Sequence, residues 1–218
     1  MLKAVLFDMD GVIVDTEPLH HKAYQQMFET VGIDVSVAMY TSFTGKSTRG
    51  ICEELCSHFG LKNNPKELVQ MKRNNFTKLF FENQDLKLIT GVEKLIKDYF
   101  KNGITLILAS SASMFTIKNV TERFKLDPFF TNKLSGADLK VSKPHPEIFI
   151  NAAKAANANP NECMVIEDST NGIKAAKRAG IFCTAYKSKN SKNQDYTLAD
   201  KLIISYEEIS FDKIKSLF

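Results

Sequence analysis

Two aspartates near the start of the chain have the spacing and chemistry of a catalytic pair. Asp8 and Asp10 flank one residue in the run Phe7-Asp8-Met9-Asp10-Gly11. In an irregular turn after a strand, both carboxyl groups can face one cavity, where one attacks phosphorus and the other handles a proton. An oxygen-ligated Mg²⁺ would stop the two carboxylates from repelling a phosphate dianion. Taken alone, the same residues also suit a plain turn with a capping carboxylate.

Polar residues follow two other apolar segments in the same way. Ser110 comes after the apolar run at 104–109, and Glu167 and Asp168 come after the run at 164–166. Because parallel strands present their carboxyl ends at one edge of a sheet, we expect these side chains to gather beside Asp8 and Asp10. Glu167 and Asp168 offer further hard oxygen ligands for Mg²⁺, against the alternative of helix capping.

A phosphate-binding role is predicted for three residues, Ser110, Ser111 and Lys143. The turn that begins at Ser110 can present a hydroxyl and backbone N–H groups at a helix start. Lys143 lies in Ser142-Lys143-Pro144-His145-Pro146, where the prolines restrict the backbone and hold the ammonium in place. An ordinary serine cap and a solvated lysine are the alternatives.

The elements that must position these residues alternate between strands and helices. Short apolar runs predict strands at 4–7, 104–109, 164–166, 181–185 and 202–204. Helical periodicity predicts helices at 92–101, 114–124, 146–157 and 171–179. This alternation predicts an α/β fold, a Rossmann-like doubly wound parallel sheet.

A helical insertion interrupts the alternation after the first strand. Residues 18–31, 50–59 and 65–81 form one helical period after another, with no strong strand among them. We therefore predict a core domain made of residues 1–14 and 86–218 and an inserted α-helical cap domain over residues 15–85.

The composition favours a small anionic substrate. The 218 residues are 44% hydrophobic and carry a formal charge of +4 without a basic block, so we expect no nucleic-acid partner. The apolar start is too short for a signal sequence and no run is long enough to span a membrane, so we expect a cytoplasmic monomer without a membrane partner. Cys52 and Cys56, one helical turn apart, are assigned to helix packing and not to a metal site.

Together, Asp8-Met9-Asp10-Gly11, Ser110, Lys143-Pro144 and Glu167-Asp168 resemble the four motifs of the haloacid dehalogenase superfamily. The runs Asp-Thr-Glu-Pro-Leu-His at 15–20 and Val-Ile-Glu-Asp-Ser-Thr-Asn-Gly-Ile at 165–173 are similar to its β-phosphoglucomutase-like branch. The resemblance implies that Asp8 is the nucleophile and a Mg²⁺ ligand, and that Asp10 is the general acid/base and ligates through its backbone carbonyl. It also implies that Asp168, with Glu167, completes the metal site and that the cap closes over the substrate.

The resemblance further favours phosphate esters, since dehalogenase and phosphonatase relatives lack an aspartate at the position of Asp10. The sequence of the cap loop does not decide between a mutase and a phosphatase. Mutases hold Gly-x-Ser-Arg there, whereas this chain has Gly45-Lys46-Ser47-Thr48-Arg49, and a shift of one residue at a helix start turns a side chain by roughly 100°.

The residues that the sequence assigns tentatively to the substrate or the cap are His20, Gly45, Lys46, Arg49 and Lys72. The leading hypothesis is a phosphatase that acts on a small phosphorylated metabolite, such as a sugar phosphate, through an aspartyl phosphate. The main alternative is β-phosphoglucomutase; a pyrophosphatase and a catalytically silent regulatory domain rank lower.

Overall fold

A computed structural model describes residues 1–44, 46–189 and 193–218, without the side chain of Asp138. Its centre is a sheet in which each hydrogen-bonded pair of neighbouring strands is parallel, in the order β3-β2-β1-β4-β5-β6. The strands are β1 (Ala4–Phe7), β2 (Thr105–Ser110), β3 (Asn132–Ser135), β4 (Cys163–Glu167), β5 (Phe182–Tyr186) and β6 (Lys201–Ile203).

Helices cover both faces of this sheet. They are α5 (Val92–Lys101), α6 (Met114–Arg123), α7 (Glu147–Ala155), α8 (Thr170–Arg178) and α9 (Phe211–Ile214). Val5 and Phe7 of β1 pack with residues of α5, α6 and α9, whereas Ala4 and Leu6 pack with residues of α7 and α8. Because successive residues of a strand face opposite sides, a strand buried on both faces is continuously apolar. The predicted doubly wound α/β fold is confirmed.

The predicted elements of the core agree with the structure to within two residues at each end. Strand β3 was not predicted, because its sequence Asn-Lys-Leu-Ser has no apolar run. Helix α8 begins directly after Ser169, whose hydroxyl accepts a hydrogen bond from the backbone N–H of Gly172 at 3.0 Å. No helix within the described ranges is both long and apolar enough to span a membrane.

Within the described residues, four helices lie between β1 and α5 and form the predicted helical cap. They are α1 (Glu17–Val31), α2 (Val37–Thr41), α3 (Thr48–Phe59) and α4 (Pro65–Glu82). Their facing sides enclose an apolar cluster separate from those of the sheet, with Met27, Phe43, Leu55 and Leu68 among its buried members. Helix α2 was not predicted. The inserted helical cap is confirmed as part of the fold, and its division from the core at residues 15–85 stays a prediction.

Several contacts between described residues join the cap to the core. The two crossing segments, through which the chain enters the cap and returns from it, pair with each other. Val14 forms an antiparallel bridge with Leu88, and the N–H of Ile89 donates to the carbonyl of Ile13 at 2.9 Å. Arg123 of α6 donates to the carbonyl of Phe80 at 2.7 Å, in the last turn of α4, and to that of Asn83 at 2.5 Å, directly after this helix. A cation at this end of a helix interacts favourably with the helix dipole.

Another contact links the core to the loop before α3. The side-chain amide of Asn171, in the first turn of α8, donates to the carbonyl of Thr44 at 2.9 Å. The cap is therefore tied to the core at its crossing segments, at α6 and at the loop that faces α8.

Candidate active site

The carboxyl edge of the sheet and the cap enclose a cavity of about 100 Å³. The ends of β1, β2 and β4 contribute one wall, which we call the sheet wall, consisting of Asp8, Asp10, Gly11, Ser110, Ser111, Ala112, Glu167, Asp168 and Ser169. The structure thus brings together the polar residues that the sequence placed after three separate strands. They meet because parallel neighbours in the sheet end at the same edge.

Lys143 is buried against this wall and is shared by two carboxylates. Its ammonium donates to Asp8 Oδ1 at 2.5 Å, to Glu167 Oε1 at 2.8 Å and to the carbonyl of Ala109 at 3.3 Å, and its side chain is 1% exposed. Burial would lower the pKa of Lys143, but the two carboxylates outweigh it and raise that pKa. Lys143 therefore remains a cation next to the predicted nucleophile.

The ionised form of Asp8 is stabilised less than its pairing with Lys143 suggests. Burial raises the pKa of Asp8 to about 7, with Lys143 acting against the shift and the neighbouring carboxylates of Glu167 and Asp10 adding to it. One ammonium between two carboxylates leaves Asp8, Glu167 and Lys143 together with a net negative charge in a buried position. A further cation at the cavity would favour the ionised form of Asp8 that a nucleophile needs.

Glu167 organises the loop after β4. Its Oε1 accepts from Lys143, and its Oε2 accepts from the backbone N–H groups of Asp168 and Ser169, both at 2.8 Å, and from the hydroxyl of Ser169 at 3.0 Å. A Cβ on Gly172 would lie 1.6 Å from Glu167 Oε1, so that position has room for glycine alone. Both oxygens are engaged by the protein, which favours an indirect role for Glu167 in any metal site.

The remaining oxygens suit a magnesium ion. Asp8 and Asp168 offer carboxylates, Asp10 offers a backbone carbonyl, and such hard ligands are those that Mg²⁺ takes. Asp168 approaches the backbone so closely that a Cβ on Gly11, where φ is +80°, would lie 2.0 Å from Asp168 Oδ2. Among the described residues, no three His, Cys, Asp or Glu side chains converge as a metal site.

Ser110 and Ser111 stand at the end of β2 on the sheet wall. The hydroxyl of Ser110 accepts from the backbone N–H of Ala112 at 3.0 Å, which shapes the turn, and α6 begins three residues after Ser111 with Ser113 as its cap. The residues predicted to bind phosphate, Ser110 and Ser111, therefore lie at the end of β2 and in the turn before α6.

Asp10 faces the cap and is bound by residues of its entry. The hydroxyl of Thr16 donates to Asp10 Oδ1, and His20 Nε2 lies 3.4 Å from the same oxygen. Burial would raise the pKa of Asp10, but the charge and hydrogen bond of His20 and the hydrogen bond of Thr16 lower it on balance. Asp10 is therefore a carboxylate in the resting site.

Lys72 of α4 determines which nitrogen of His20 carries the proton. The ammonium of Lys72 lies 2.6 Å from His20 Nδ1. Because an ammonium can donate a hydrogen bond but cannot accept one, Nδ1 accepts, and the ring proton resides on Nε2, towards Asp10. Burial and the charge of Lys72 lower the pKa of His20, and burial lowers the pKa of Lys72 to about 8. His20 and Lys72, two of the residues assigned tentatively to the substrate or the cap, thus line the cavity, and a series of polar contacts connects Lys72 through His20 to Asp10.

The loop before α3 supplies the other tentative residues. Lys46 lines the cavity with Thr44 and Thr48, and its ammonium is paired with Glu54 at 2.8 Å. Arg49 is not among the residues of the wall; its guanidinium pairs with Glu53 at 2.8 Å and its side chain is 67% exposed. Gly45 lies outside the described residues.

Sequence reasoning gave no role to Thr16, Glu17 and Tyr40. Glu17 and Tyr40 line the cavity, and the Tyr40 hydroxyl donates to Glu17 Oε1 at 3.0 Å. Burial raises the pKa of Glu17 to about 7. Thr16 and Glu17 lie within the quoted run at 15–20, which was a usable signal; Tyr40 lies on α2, whose five residues show no periodicity.

Fold and site together define a hydrolase class, and comparison with known proteins agrees. The family of haloacid dehalogenase-like hydrolases matches residues 5–186, and the chain belongs to that family. It is 33% identical to a putative phosphatase, YhcW, of Bacillus subtilis over 87% of this chain and 85% of that protein. It is 32% identical to the phosphorylated carbohydrates phosphatase of Thermotoga maritima over 83% of this chain and 82% of that protein.

A solved structure identifies the branch of the family. The β-phosphoglucomutase from Clostridium difficile superposes with a TM-score of 0.87 at 28% identity, covering 99% of this chain and 96% of that one. The chain is therefore an enzyme of the β-phosphoglucomutase-like branch, whose members include phosphatases and phosphomutases.

Proposed function

We propose that this enzyme is a magnesium-dependent phosphatase that hydrolyses a small sugar phosphate through an aspartyl phosphate. The supporting observation is that the two aspartates of the sheet wall have different partners. Asp8 is paired with a buried ammonium at 2.5 Å, whereas Asp10 is bound by Thr16 and His20 of the cap entry. The names of the two phosphatase relatives support the substrate class.

In the first step, an oxygen of the Asp8 carboxylate attacks phosphorus. The bond between phosphorus and the ester oxygen breaks, and Asp10 delivers a proton to the departing oxygen. The approach of a phosphate dianion adds negative charge beside Asp10 and raises its pKa, which favours the protonated form required here. Ser110 and Ser111 would bind the oxygens of the phosphoryl group, and Lys143 would hold Asp8 in line.

In the second step, Asp10 removes a proton from water, and the resulting hydroxide attacks the phosphorus of the aspartyl phosphate. The bond to Asp8 breaks and inorganic phosphate is released. When bound by Asp8, the Asp10 carbonyl and Asp168, Mg²⁺ would neutralise the charge that develops on the phosphoryl oxygens. The cap over residues 15–85 would exclude bulk water during transfer, and the proposal retains a cytoplasmic monomer.

The second candidate is β-phosphoglucomutase, in which a sugar hydroxyl replaces water in the second step. The TM-score of 0.87 with a β-phosphoglucomutase favours it. The outward position of Arg49 weakens it, since a mutase must also hold the phosphate that is not being transferred. Thr48 stands on the cavity wall in the place of a mutase arginine.

One incubation separates the two. The pure enzyme with Mg²⁺ receives β-glucose 1-phosphate and a trace of the 1,6-bisphosphate, and both glucose 6-phosphate and free phosphate are measured over time. The phosphatase predicts phosphate release that matches ester loss. Glucose 6-phosphate without matching phosphate would replace this proposal with the mutase. A parallel reaction with excess chelator, restored by Mg²⁺, tests the cofactor.

A further inference from the structure

The turn that carries Asp10 receives a hydrogen bond from a side chain near the other end of the chain. The hydroxyl of Tyr206 donates to the carbonyl of Val12 at 2.5 Å, although 194 residues separate the two. Tyr206 is 2% exposed and Val12 is fully buried, so bulk water does not compete for this bond. A buried carbonyl that loses its donor is costly, and the turn would have to move to satisfy it.

The other hydrogen bonds that shape this turn are largely internal. The Met9 carbonyl accepts from the N–H groups of Val12, Ile13 and Val14 at 3.3, 2.8 and 3.2 Å. These bonds give the turn its form, but they do not fix its position relative to the rest of the core. The Tyr206 hydroxyl adds a bond from outside the turn, and it reaches the residue two positions after Asp10.

Tyr206 is itself firmly placed in the core. It belongs to a 3₁₀ turn, Tyr206–Ile209, that begins with a capping box, and its ring stacks on that of Tyr186 with centroids 4.6 Å apart. It also packs against Gly91, directly before α5, where an added Cβ would lie 3.5 Å from Tyr206 Cβ. Burial raises the pKa of Tyr206, so the hydroxyl keeps the proton that it donates.

The carboxylate of Asp10, in contrast, takes its partners from the entry of the cap. Thr16 and His20 both contact its Oδ1. A group that transfers a proton needs a fixed position relative to the phosphorus that Asp8 attacks, and Asp8 belongs to the sheet wall. The bond from Tyr206 ties the backbone of Asp10 to the same core that holds Asp8.

We propose that Tyr206 is a positioning residue for Asp10: through the Val12 carbonyl, its hydroxyl holds the turn so that Asp10 can deliver its proton to the oxygen that leaves phosphorus. The inference rests on the proposed function, in which Asp10 is the general acid, and it adds a residue that does not line the cavity. Loss of the hydroxyl should impair proton delivery and leave the attack by Asp8 almost unchanged.

The leaving group separates these two effects. 4-Nitrophenolate departs without a proton, whereas the alkoxide of a sugar requires one. With saturating Mg²⁺, we would measure kcat/KM in the wild type and in Tyr206→Phe for 4-nitrophenyl phosphate and for the sugar phosphate hydrolysed fastest among glucose 6-phosphate, fructose 6-phosphate and ribose 5-phosphate. The variant should lose roughly 10- to 100-fold on the sugar ester and less than about threefold on the aryl ester. A ratio between the two losses below about threefold overturns the inference.

Tyr99→Phe is the matched control. Tyr99 is likewise buried, and its hydroxyl donates to a backbone carbonyl, that of Ile209, at 2.5 Å. Both variants lose one buried hydroxyl and one hydrogen bond, so both melting temperatures should fall by a similar amount, roughly 2–6 °C. Tyr99→Phe should keep the ratio of the two kcat/KM values within about twofold of the wild type. An equal change of this ratio in both variants would assign the effect to general loosening of the core and overturn the inference.

A second measurement needs no substrate. Amide hydrogen exchange, followed by NMR, reports the opening of the turn at the N–H groups of Ile13 and Val14, which donate to the Met9 carbonyl. Relative to the wild type, exchange at these amides should accelerate at least about tenfold in Tyr206→Phe and less than about threefold in Tyr99→Phe. Unchanged exchange in Tyr206→Phe would show that the hydroxyl does not hold the turn, and the inference would fall.

The two proposals fail in different ways. If the wild type hydrolyses no phosphate ester, the phosphatase function fails, and the role of Tyr206 in proton delivery fails with it. If the wild type is a phosphatase and Tyr206→Phe behaves like Tyr99→Phe, only the inference fails.

Discussion

The sheet wall of the cavity is held by buried ion pairs and backbone hydrogen bonds, whereas the cap wall is held by side chains packed on aromatic rings. The cap wall is formed by α1, α2, α4, the first turn of α3 and the loop before it. On the sheet side, Lys143 and Glu167 each bind several fixed groups. On the cap side, His20 stacks on Phe76 with ring centroids 4.3 Å apart, and Lys72 packs over the same ring. The sheet wall therefore holds charges in fixed positions for one reaction, whereas the side chains of the cap wall can be exchanged to suit another substrate.

The largest expected effect is at the nucleophile. Asp8→Asn keeps the shape of the side chain but removes the attacking oxygen, so steady-state phosphate release should fall by at least about 10⁴-fold. The control is Asp34→Asn at an exposed aspartate of the cap. Turnover by the Asp8 variant within tenfold of the wild type would remove Asp8 from the reaction.

The next effect tests how strongly the sheet wall depends on its cation. Lys143→Met keeps the volume but leaves the buried carboxylates of Asp8 and Glu167 without their shared cation, and we expect a loss of about 3–5 kcal/mol in the free energy of unfolding at pH 8. Lys3→Met removes the surface pair with Glu162, in which the Lys3 side chain is 56% exposed, and should cost less than about 1 kcal/mol. Urea titrations measure both. Equal losses would show that the buried ammonium contributes no more than a surface one.

A smaller effect concerns the contact between the two walls. Asn171→Ala removes the hydrogen bond to the Thr44 carbonyl, and the cap loop should lose one of its attachments to the core. We expect KM to rise roughly fivefold to tenfold with a smaller change in kcat, since the bond supports closure and not the chemical step. Asn119→Ala, whose amide bonds to Phe115 within its own helix, is the control. A fall in kcat at constant KM would contradict this role.

The smallest effect is a pH dependence of stability on the cap side. Burial raises the pKa of Glu17 from its usual 4.5 to about 7. Between these values the folded chain holds a proton that the unfolded chain has released, so this residue lowers stability as pH rises. Relative to the wild type, Glu17→Gln should therefore gain on the order of 1 kcal/mol in unfolding free energy from pH 4 to pH 8. A difference that is constant across this range would mean that Glu17 titrates normally.

The sheet wall could be predicted from the sequence because it depends on local rules. Short apolar runs that end in polar residues predict parallel strands, and parallel strands that end at one edge place Asp8, Ser110 and Glu167 together. Strand β3 escaped prediction because a half-exposed strand of Asn, Lys, Leu and Ser has no such run.

The cap wall could be predicted only in part, because its geometry depends on packing between helices. The sequence identified His20 and Lys72 as candidates, but not that one would hold the other against Asp10. The position of Thr48 on the cavity wall and of Arg49 outside it depends on where α3 begins, since neighbouring residues of a helix diverge by roughly 100°. Tyr40 reaches Glu17 through a five-residue helix that periodicity does not detect.

The position of β1 in the middle of the sheet has a consequence for synthesis. The strand that precedes Asp8 leaves the ribosome before both of its neighbours in the sheet, since Ala4 pairs with Thr105 on one side and with Cys163 on the other. The cap helices, with an apolar cluster of their own, are complete before either neighbour of β1 exists. Because loop closure over such separations delays folding, the nascent chain should assemble its substrate-selecting part early and its catalytic edge late.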